Sequence, residues 1–568
     1  MTRGVDNDVC LKIGVTAHRD LSQVDVPDLE RQIQEFFRSL QSAYPDLPLT
    51  ILNPLAPGGD MLVAEIALEM GIAIEVPLPM PLAVYEAGFS AAELEQFRRL
   101  CEHSTVFSLP MIEGNTEASL RHSEEARDRQ FAQLGMYIAG HSHMLLALWD
   151  GEDSDALGGT ASVVHYQLHD EMAGVLGSAS SEQLLADKES DLVYHIHCPR
   201  RAVVTAGECG RWLSHAAVFP GIDLPDRYRV AFGYMQSFRR DVIRNAQRIE
   251  RDGDTLISDP VMKKDPALVH IDAIYRSADW LAIHYRKLVL REIALTHMLA
   301  ALMGICFVVY SEYMDFEFLL PAFLLFFFGA WAMNKIANRM QWHRKYLDNR
   351  ALAEGLRVQF YWTLADVESF EGTAFAYDNL MQKQDLELVW IRHIMRGVSV
   401  AGQINRYRID GGLELAIDRW IGDEESKIGQ LGYYRIASFN RARKLHRNSF
   451  YGKLGLGAGI SIALLLLVVG RSLDELPMNI LLILMGLLPL MAGIREAYAY
   501  KKADKELTKQ YQFMHNIFSR AKVKLSGSPD QELKKKVLRA LGEACLEEHA
   551  EWILIHRERP LEHSGLQG

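Results

Sequence analysis

IALTHMLAALMGICFVV (Ile293–Val309) and FEFLLPAFLLFFFGAWAM (Phe316–Met333) decide the class of this chain. Each run holds almost no charge and reaches the lower end of the roughly 17–25 residues that cross a bilayer as a helix. A second pair follows at LGLGAGISIALLLLVVG (Leu454–Gly470) and LPMNILLILMGLLPLMAGI (Leu476–Ile494). The sequence therefore predicts four membrane spans in two hairpins, although 24% charged residues over 568 positions is an ordinary soluble composition. The apolar material is concentrated in these four runs.

Working outward, the flanks set an expected orientation. Arg286, Lys287 and Arg291 precede the first hairpin, Lys335, Arg339, Arg344 and Lys345 follow it, and its turn, SEYMDFE, is acidic. Arg441, Arg443, Lys444 and Arg447 precede the second; Lys501, Lys502 and Lys505 follow it, and its turn, RSLDELPMN, carries Asp474 and Glu475 against one Arg. The excess of basic residues on one side predicts a multi-pass membrane protein with both termini in the cytoplasm. MTRGVDNDVC shows no secretory apolar segment, so the first block is expected to stay inside. Six cysteines without CxxC or zinc spacing suit reduced thiols, and no metal is expected. A net charge of −12 argues against a nucleic-acid polymer as partner, because such binding needs a basic face that displaces counterions. A small anion is still compatible, since local donors decide it.

From Leu11 the first block alternates strand-like and helical runs. LKIGVTAH, LTILNPLA, AIEVPLPM, Thr105–Leu109, HMLLALWD and VYHIHCPR read as strands, with helices between them at 28–43, 60–71, 91–100 and 124–139 and one opening near Thr160. This predicts an α/β Rossmann-like domain with a parallel sheet covered on both faces. Ligands of such sheets sit beyond the carboxyl ends of the strands. The candidates there are Thr16, His18 and Arg19 after the first strand, Pro57, Gly58, Gly59 and Asp60 after the second, Asp150 and Gly151 after HMLLALW, and Gly158, Gly159 and Thr160 at the next helix. Two Gly-Gly pairs at helix starts offer backbone N–H groups and a positive dipole end to a phosphate. Glycine turns at helix starts are also common without a ligand, and His18 and Arg19 read equally as a strand-end cap. His141 with His143 and His195 with His197 share a spacing that suits a metal but lack a further ligand. Arg127, Arg129, Arg200 and Arg201 read as a basic lip or as solvated surface.

GVTAHRDL, NPLAPGGDMLVAEIALEMG and LALWDGEDSDALGGTASVV, in that order, resemble the SLOG superfamily, the Rossmann-like fold of the DprA proteins and the "lonely guy" phosphoribohydrolases, over roughly residues 10–202. The enzymatic branch carries a PGGxGTxxE motif with a catalytic Glu. Here Gly159-Thr160 matches its GT, and the position of the Glu is Val163. The resemblance therefore implies a binding version of the fold with no catalytic residue, no cofactor and a nucleotide-type signal ligand, cyclic or NAD-derived. Asp60 and Glu65 stand near enough to keep an N-glycosidase as the alternative.

Residues 174–191 read as a surface insertion. The expected domains are 10–205 Rossmann-like, 206–290 a helical connector interrupted near Asp252–Pro266, 291–335 the first hairpin, 336–450 a cytoplasmic helical region, 451–495 the second hairpin and 496–568 a helical tail. AIYRSADWLAIHYRK before the first hairpin and YYRIASFNRARKLHR before the second, with a long polar helix after each, raise a duplication, although the alignment is loose. LAEGLRVQFYW resembles the helix after the two-span hairpin of SLATT-type membrane domains, which accompany SLOG sensors. The spans hold almost no ionisable group, which counts against a coupled transporter, and Gly455 with Gly459 forms a GxxxG face for close helix contact. Pro321 and Pro489 read as kinks or as tolerated prolines. Together the resemblances imply a nucleotide-gated, membrane-disrupting or pore-forming effector of bacterial antiviral defence in the bacterial inner membrane, acting on membrane lipid as a homo-oligomer; a scaffold that has lost its ligand is a third reading.

Overall fold

The computed structural model describes residues 9–21, 26–112, 114–154, 156–169, 191–199, 210–313, 315–367, 388–404, 408–425, 429–502 and 504–557. They divide into two compact units, one drawn from 1–277, 351–412 and 542–551 and the other from 278–350, 413–541 and 552–568.

The first unit is built on an eight-stranded sheet. In chain order it runs β1 (Leu11–Ala17), α1 (Val26–Ala43), β2 (Leu49–Leu52), α2 (Gly59–Glu69), β3 (Ala73–Leu78), α3 (Leu82–Glu86), α4 (Ala91–Glu102), β4 (Thr105–Ser108), α5 (Glu117–His122), α6 (Glu124–His141), β5 (Met144–Trp149), α7 (Thr160–His169), β6 (Val193–His197), β7 (Arg211–Leu213) and β8 (Val218–Pro220). The spatial order is β4-β3-β2-β1-β5-β6-β7-β8. All neighbours from β4 to β6 pair parallel. Strands β1, β2 and β5 are buried almost end to end, as helices on both faces require. The chain leaves β1 towards β2, β3 and β4 and returns on its other side at β5, so the strand order reverses between β1 and β5. A crevice opens at such a reversal.

Sheet pairing continues beyond residue 205, where the sequence predicts a helical connector. Strands β7 and β8 add antiparallel to β6, with Tyr194 opposite Trp212 and Trp212 opposite Phe219. Three-residue strands carry too little alternation to register as strands in the sequence. The predicted break at Asp252–Pro266 is present: α8 (Asp226–Asp252) ends there, and after a short 3₁₀ turn α9 begins at Pro266 and continues unbroken to Glu312. The insertion predicted at 174–191 lies, except for Asp191, outside the described residues.

Two helices of the middle region belong to this unit. The part of α11 (Trp342–Ala365) beyond residue 350 packs there, as does α12 (Val389–Ile404). The imidazole of His143 accepts at Nδ1 from the Lys12 N–H (3.0 Å) and reaches the His393 carbonyl with Nε2 (2.8 Å). Arg392 and Arg396 both pair with Asp191, at 3.5 and 3.3 Å. Lys12, His143 and Asp191 sit at the amino ends of β1, β5 and β6, so α12 closes the end of the sheet opposite the crevice.

The second unit contains α10 (Leu319–Arg339), α13 (Gly412–Ala416), α14 (Gln430–Val469), α15 (Glu475–Lys501), α16 (Asp504–Ser526) and much of α17 (Gln531–Arg557), together with the distal part of α9. Helices α9, α10, α14 and α15 are long and apolar enough to cross a membrane. Their apolar side chains point outward: Leu467 is 83% and Val468 82% exposed, which suits hydrocarbon as the surrounding solvent. The spans pack through small residues. A Cβ on Gly459 would stand 2.5 Å from Pro489 Cγ, and one on Gly304 would stand 2.4 Å from Leu490 Cδ2. The GxxxG face of α14 is thus used against α15 within the chain, and the ring of Pro489 fills the groove that Gly459 leaves. Pro321 lies in the first turn of α10, where its missing N–H breaks no helical bond. The layout of long helix, hairpin and following helix recurs in both halves, and each following helix is broken off from its span, at Met340–Gln341 and at Lys502.

Candidate functional site

Beyond the carboxyl ends of β1 and β2 the backbone is tightly constrained. Asn53, fully buried, accepts at Oδ1 from the Leu55 N–H (2.8 Å) and donates from Nδ2 to the Asp60 carbonyl (2.8 Å). It thereby staples the loop 54–59 in place and holds Leu55 at φ 54°, a left-handed conformation that a Leu rarely adopts. Gly58 has φ 90°, and a Cβ there would lie 2.1 Å from the Arg19 carbonyl oxygen. A Cβ on Gly59 would lie 2.5 Å from that of Ala17, and its N–H donates to the His18 carbonyl (3.0 Å). The Gly58-Gly59 pair exists to let α2 start directly against the end of β1. Its role is close backbone approach, and the Gly59 amide is already spent on His18.

The other pair is placed differently. Gly158 (φ 73°) lets the start of α7 lie against α6, where a Cβ would meet the Ala132 nitrogen at 2.6 Å. Gly158, Gly159 and Thr160 line a cavity of about 380 Å³ at the β1–β5 reversal, within the roughly 300–1,000 Å³ of small-ligand sites. Thr16, His18, Arg19 and Asp60 line the same cavity. Helix α6 supplies an apolar wall through Phe131, Leu134, Gly135 and Ile138, Tyr85 comes from α3, and Val163 from α7. Val163, where the sequence resemblance would place a catalytic Glu, is therefore an apolar part of the cavity wall.

Asp60 is the unusual group. Its side chain is buried, Oδ1 is closed off from solvent with no hydrogen-bond partner among the described residues, and backbone groups of Ala56 and Ala17 bond the carboxyl. Burial pushes its pKa up to about 8 even though Arg19 pulls the other way, so the acid is largely protonated at neutral pH. Arg19 is exposed at the rim with its guanidinium over the Phe131 ring, 5.4 Å from the centroid. The Tyr85 hydroxyl donates to the Pro54 carbonyl (3.1 Å), and burial raises its pKa.

The other candidates have structural partners. Pro57, Gly58, Gly59, Asp150 and Gly151 are not among the cavity's lining residues. The Asp150 N–H donates to His18 Nε2 (3.1 Å), and Asp150 Oδ1 lies 3.3 Å from that nitrogen while accepting from the Glu152 N–H (3.1 Å). His18 clamps β1 to β5 and also lines the cavity. Glu65, the other carboxylate considered, is paired with Arg99 and does not line the cavity. His141 Nδ1 bonds the Tyr137 carbonyl at 2.8 Å, and His195 Nε2 bonds the Trp149 carbonyl at 2.9 Å. Among the described residues no group of three potential ligands could hold a metal. Arg129 pairs with Glu125, and Arg200 and Arg201 lie outside the described residues. Sequence reasoning missed Tyr85 and the α6 wall. The signal available was the 131/134/135/138 spacing, one helical stripe with a glycine in it.

No family model matches the chain, and no curated protein matches it.

Proposed function

We propose that this chain is a membrane effector whose Rossmann-like domain binds a small nucleotide signal, cyclic or NAD-derived, in the β1–β5 crevice. Binding shifts the population of a homo-oligomer towards a state whose spans permeabilise the bacterial inner membrane, in the setting of antiviral defence, with both termini in the cytoplasm. The observation that carries the binding step is the cavity at the strand-order reversal, where the start of α7, Arg19 and a buried acid converge. The four apolar helices carry the membrane step. A ligand drives such a shift only through differential affinity for the two states, so tight binding and opening are separately measurable.

Thermal melting of the full chain in detergent with AMP, ADP-ribose, NAD and cyclic dinucleotides tests the binding step. At a hundredfold excess over Kd a true ligand stabilises by about 2.7 kcal/mol. Thr160→Glu, which adds a negative charge at the first turn of α7, removes that gain. Melting that no nucleotide shifts overturns the reading and favours a scaffold.

One observation favours a second reading, an N-glycosidase: Asp60 is an acid in the cavity that holds its proton at neutral pH, as a general acid must. Chromatography of nucleoside monophosphates and NAD after incubation separates the two. The binding reading expects intact substrate.

A further inference from the structure

We propose that the face of α14 carrying Arg443, Arg447, Phe450 and Tyr451 is a binding site for an anionic phospholipid of the membrane that the spans cross. Its arginines hold the headgroup phosphate, and its rings hold the glycerol and the first acyl carbons. The site rests on the four apolar helices alone and is independent of what the crevice of the sheet binds.

Helix α14 runs unbroken from Gln430 to Val469, so the helix that forms the span from Leu454 also carries this face. Asn448 and Gly459 mark the side packed on α15. Arg441, with its guanidinium 4.8 Å from the centroid of the Tyr511 ring, marks the side packed on α16. On the opposite side Phe439, Arg443, His446, Arg447 and Phe450 recur at three- and four-residue steps, and with Tyr451 they line an open groove of about 660 Å³. Phe450 is 59% and Tyr451 48% exposed, an aromatic pair one turn before an apolar span, where such rings meet headgroups. Arg495, just past the apolar run of α15, donates to Asn448 Oδ1 (2.9 Å) and lies 5.0 Å from the Tyr451 centroid. A second helix thus brings a cation to the same level.

Charge decides the occupant. Between Gln430 and Leu473 the chain has no Asp or Glu, while Arg435, Arg441, Arg443, Lys444, Arg447 and Lys453 are all basic. A second copy of this face would set Arg443 and Arg447 against their own counterparts, whereas headgroup phosphates neutralise them. At 1.5 Å per residue, Phe450 and Tyr451 stand about 5–6 Å along the axis from Leu454, inside a headgroup layer of roughly 5–8 Å. Arg447, about 10 Å out, lies beside that layer, and Arg443, about 16 Å out, lies about one Debye length beyond it. Arg435, about 28 Å out, is past the reach of the surface charge and pairs with Glu424 at 3.4 Å.

The test follows the melting temperature of the full chain in an uncharged detergent as phosphatidylglycerol, phosphatidylcholine or inorganic phosphate is added. Phosphatidylglycerol is expected to raise it to a plateau. The other two leave it nearly unchanged, because one lacks a net negative charge and the other lacks the chains that the rings hold. Arg447→Gln is expected to raise the half-saturating lipid concentration about fivefold, the effect of removing one cation at an anionic surface. Arg435→Gln, with the same loss of charge, leaves it as in wild type. Equal weakening by the two substitutions reduces the effect to net charge and overturns the assignment. A phosphatidylcholine gain as large as that of phosphatidylglycerol overturns it, as does an equal gain from inorganic phosphate, which makes the site one for a free anion. Should Arg447→Gln not fold, the three-way comparison on wild type decides by itself. Melting that rises with protein concentration and ignores lipid gives the face to a second copy and overturns the proposal as well.

Discussion

Gly58 and Asp60 are two residues apart and fail in opposite directions when changed. Gly58→Ala forces a side chain into a left-handed backbone and against the Arg19 carbonyl, and is expected to destabilise the first unit by about 2–3 kcal/mol. Gly159→Ala has no positive φ to violate and meets the Ala156 carbonyl oxygen at 3.3 Å, so its melting temperature stays much closer to wild type. Comparing the two melts checks this. Asp60→Asn should do the reverse. The folded chain holds the Asp60 proton up to about pH 8, whereas an ordinary Asp loses it near 3.8. The folded state therefore binds more protons between those values, and stability from this group, full below the lower value, drains as pH rises through the upper one. Asp60→Asn is expected to melt higher than wild type at pH 8, with the gap closing towards pH 4. Much of this was legible: Thr16, His18 and Arg19 follow a strand, and Asp60 follows a glycine pair. What the sequence concealed is that the Gly59 amide bonds His18, that Asp150 serves His18 and its own turn, and that Tyr85 and Phe131 come from helices far along the chain. Those facts depend on which backbone groups meet in space, which no spacing rule encodes.

At the scale of elements, periodicity and length carried most of the reading. The strands β1 to β6 and the helices α1, α2, α4 and α6 have continuous apolar runs or clear amphipathic stripes, and their bounds fell within a few residues, as did the start of α7; the short α3 and α5 were not read. β7 and β8 were invisible because three residues hold no pattern, and their place is set by pairing to β6. The glycines of α14 show the same division. Gly455, Gly457 and Gly459 look alike in sequence, yet Gly459 meets Pro489 while nothing lies within 4 Å of a Cβ on Gly457. Gly459→Leu is expected to cost about 1–3 kcal/mol by overpacking the α14–α15 contact. Gly457→Leu, directed at lipid, should fall within about 0.5 kcal/mol of wild type. Heating each variant in detergent and measuring the surviving folded fraction by size exclusion distinguishes them; equal losses would show that this packing is not made.

For the whole molecule, composition is a poor guide and segregation a good one. An acidic chain with 24% charged residues holds four helices whose outward faces suit lipid and, in its other unit, a sheet that carries a ligand-sized cavity. The central claim is that an anion in that cavity controls the state of the spans. Dye release from liposomes of bacterial lipid, with wild type and Thr160→Glu across the nucleotide panel, tests it most directly. The expected result is release that depends on a nucleotide and disappears in Thr160→Glu. Release that is the same without any nucleotide and untouched by the substitution, or no release with any of them, would contradict it.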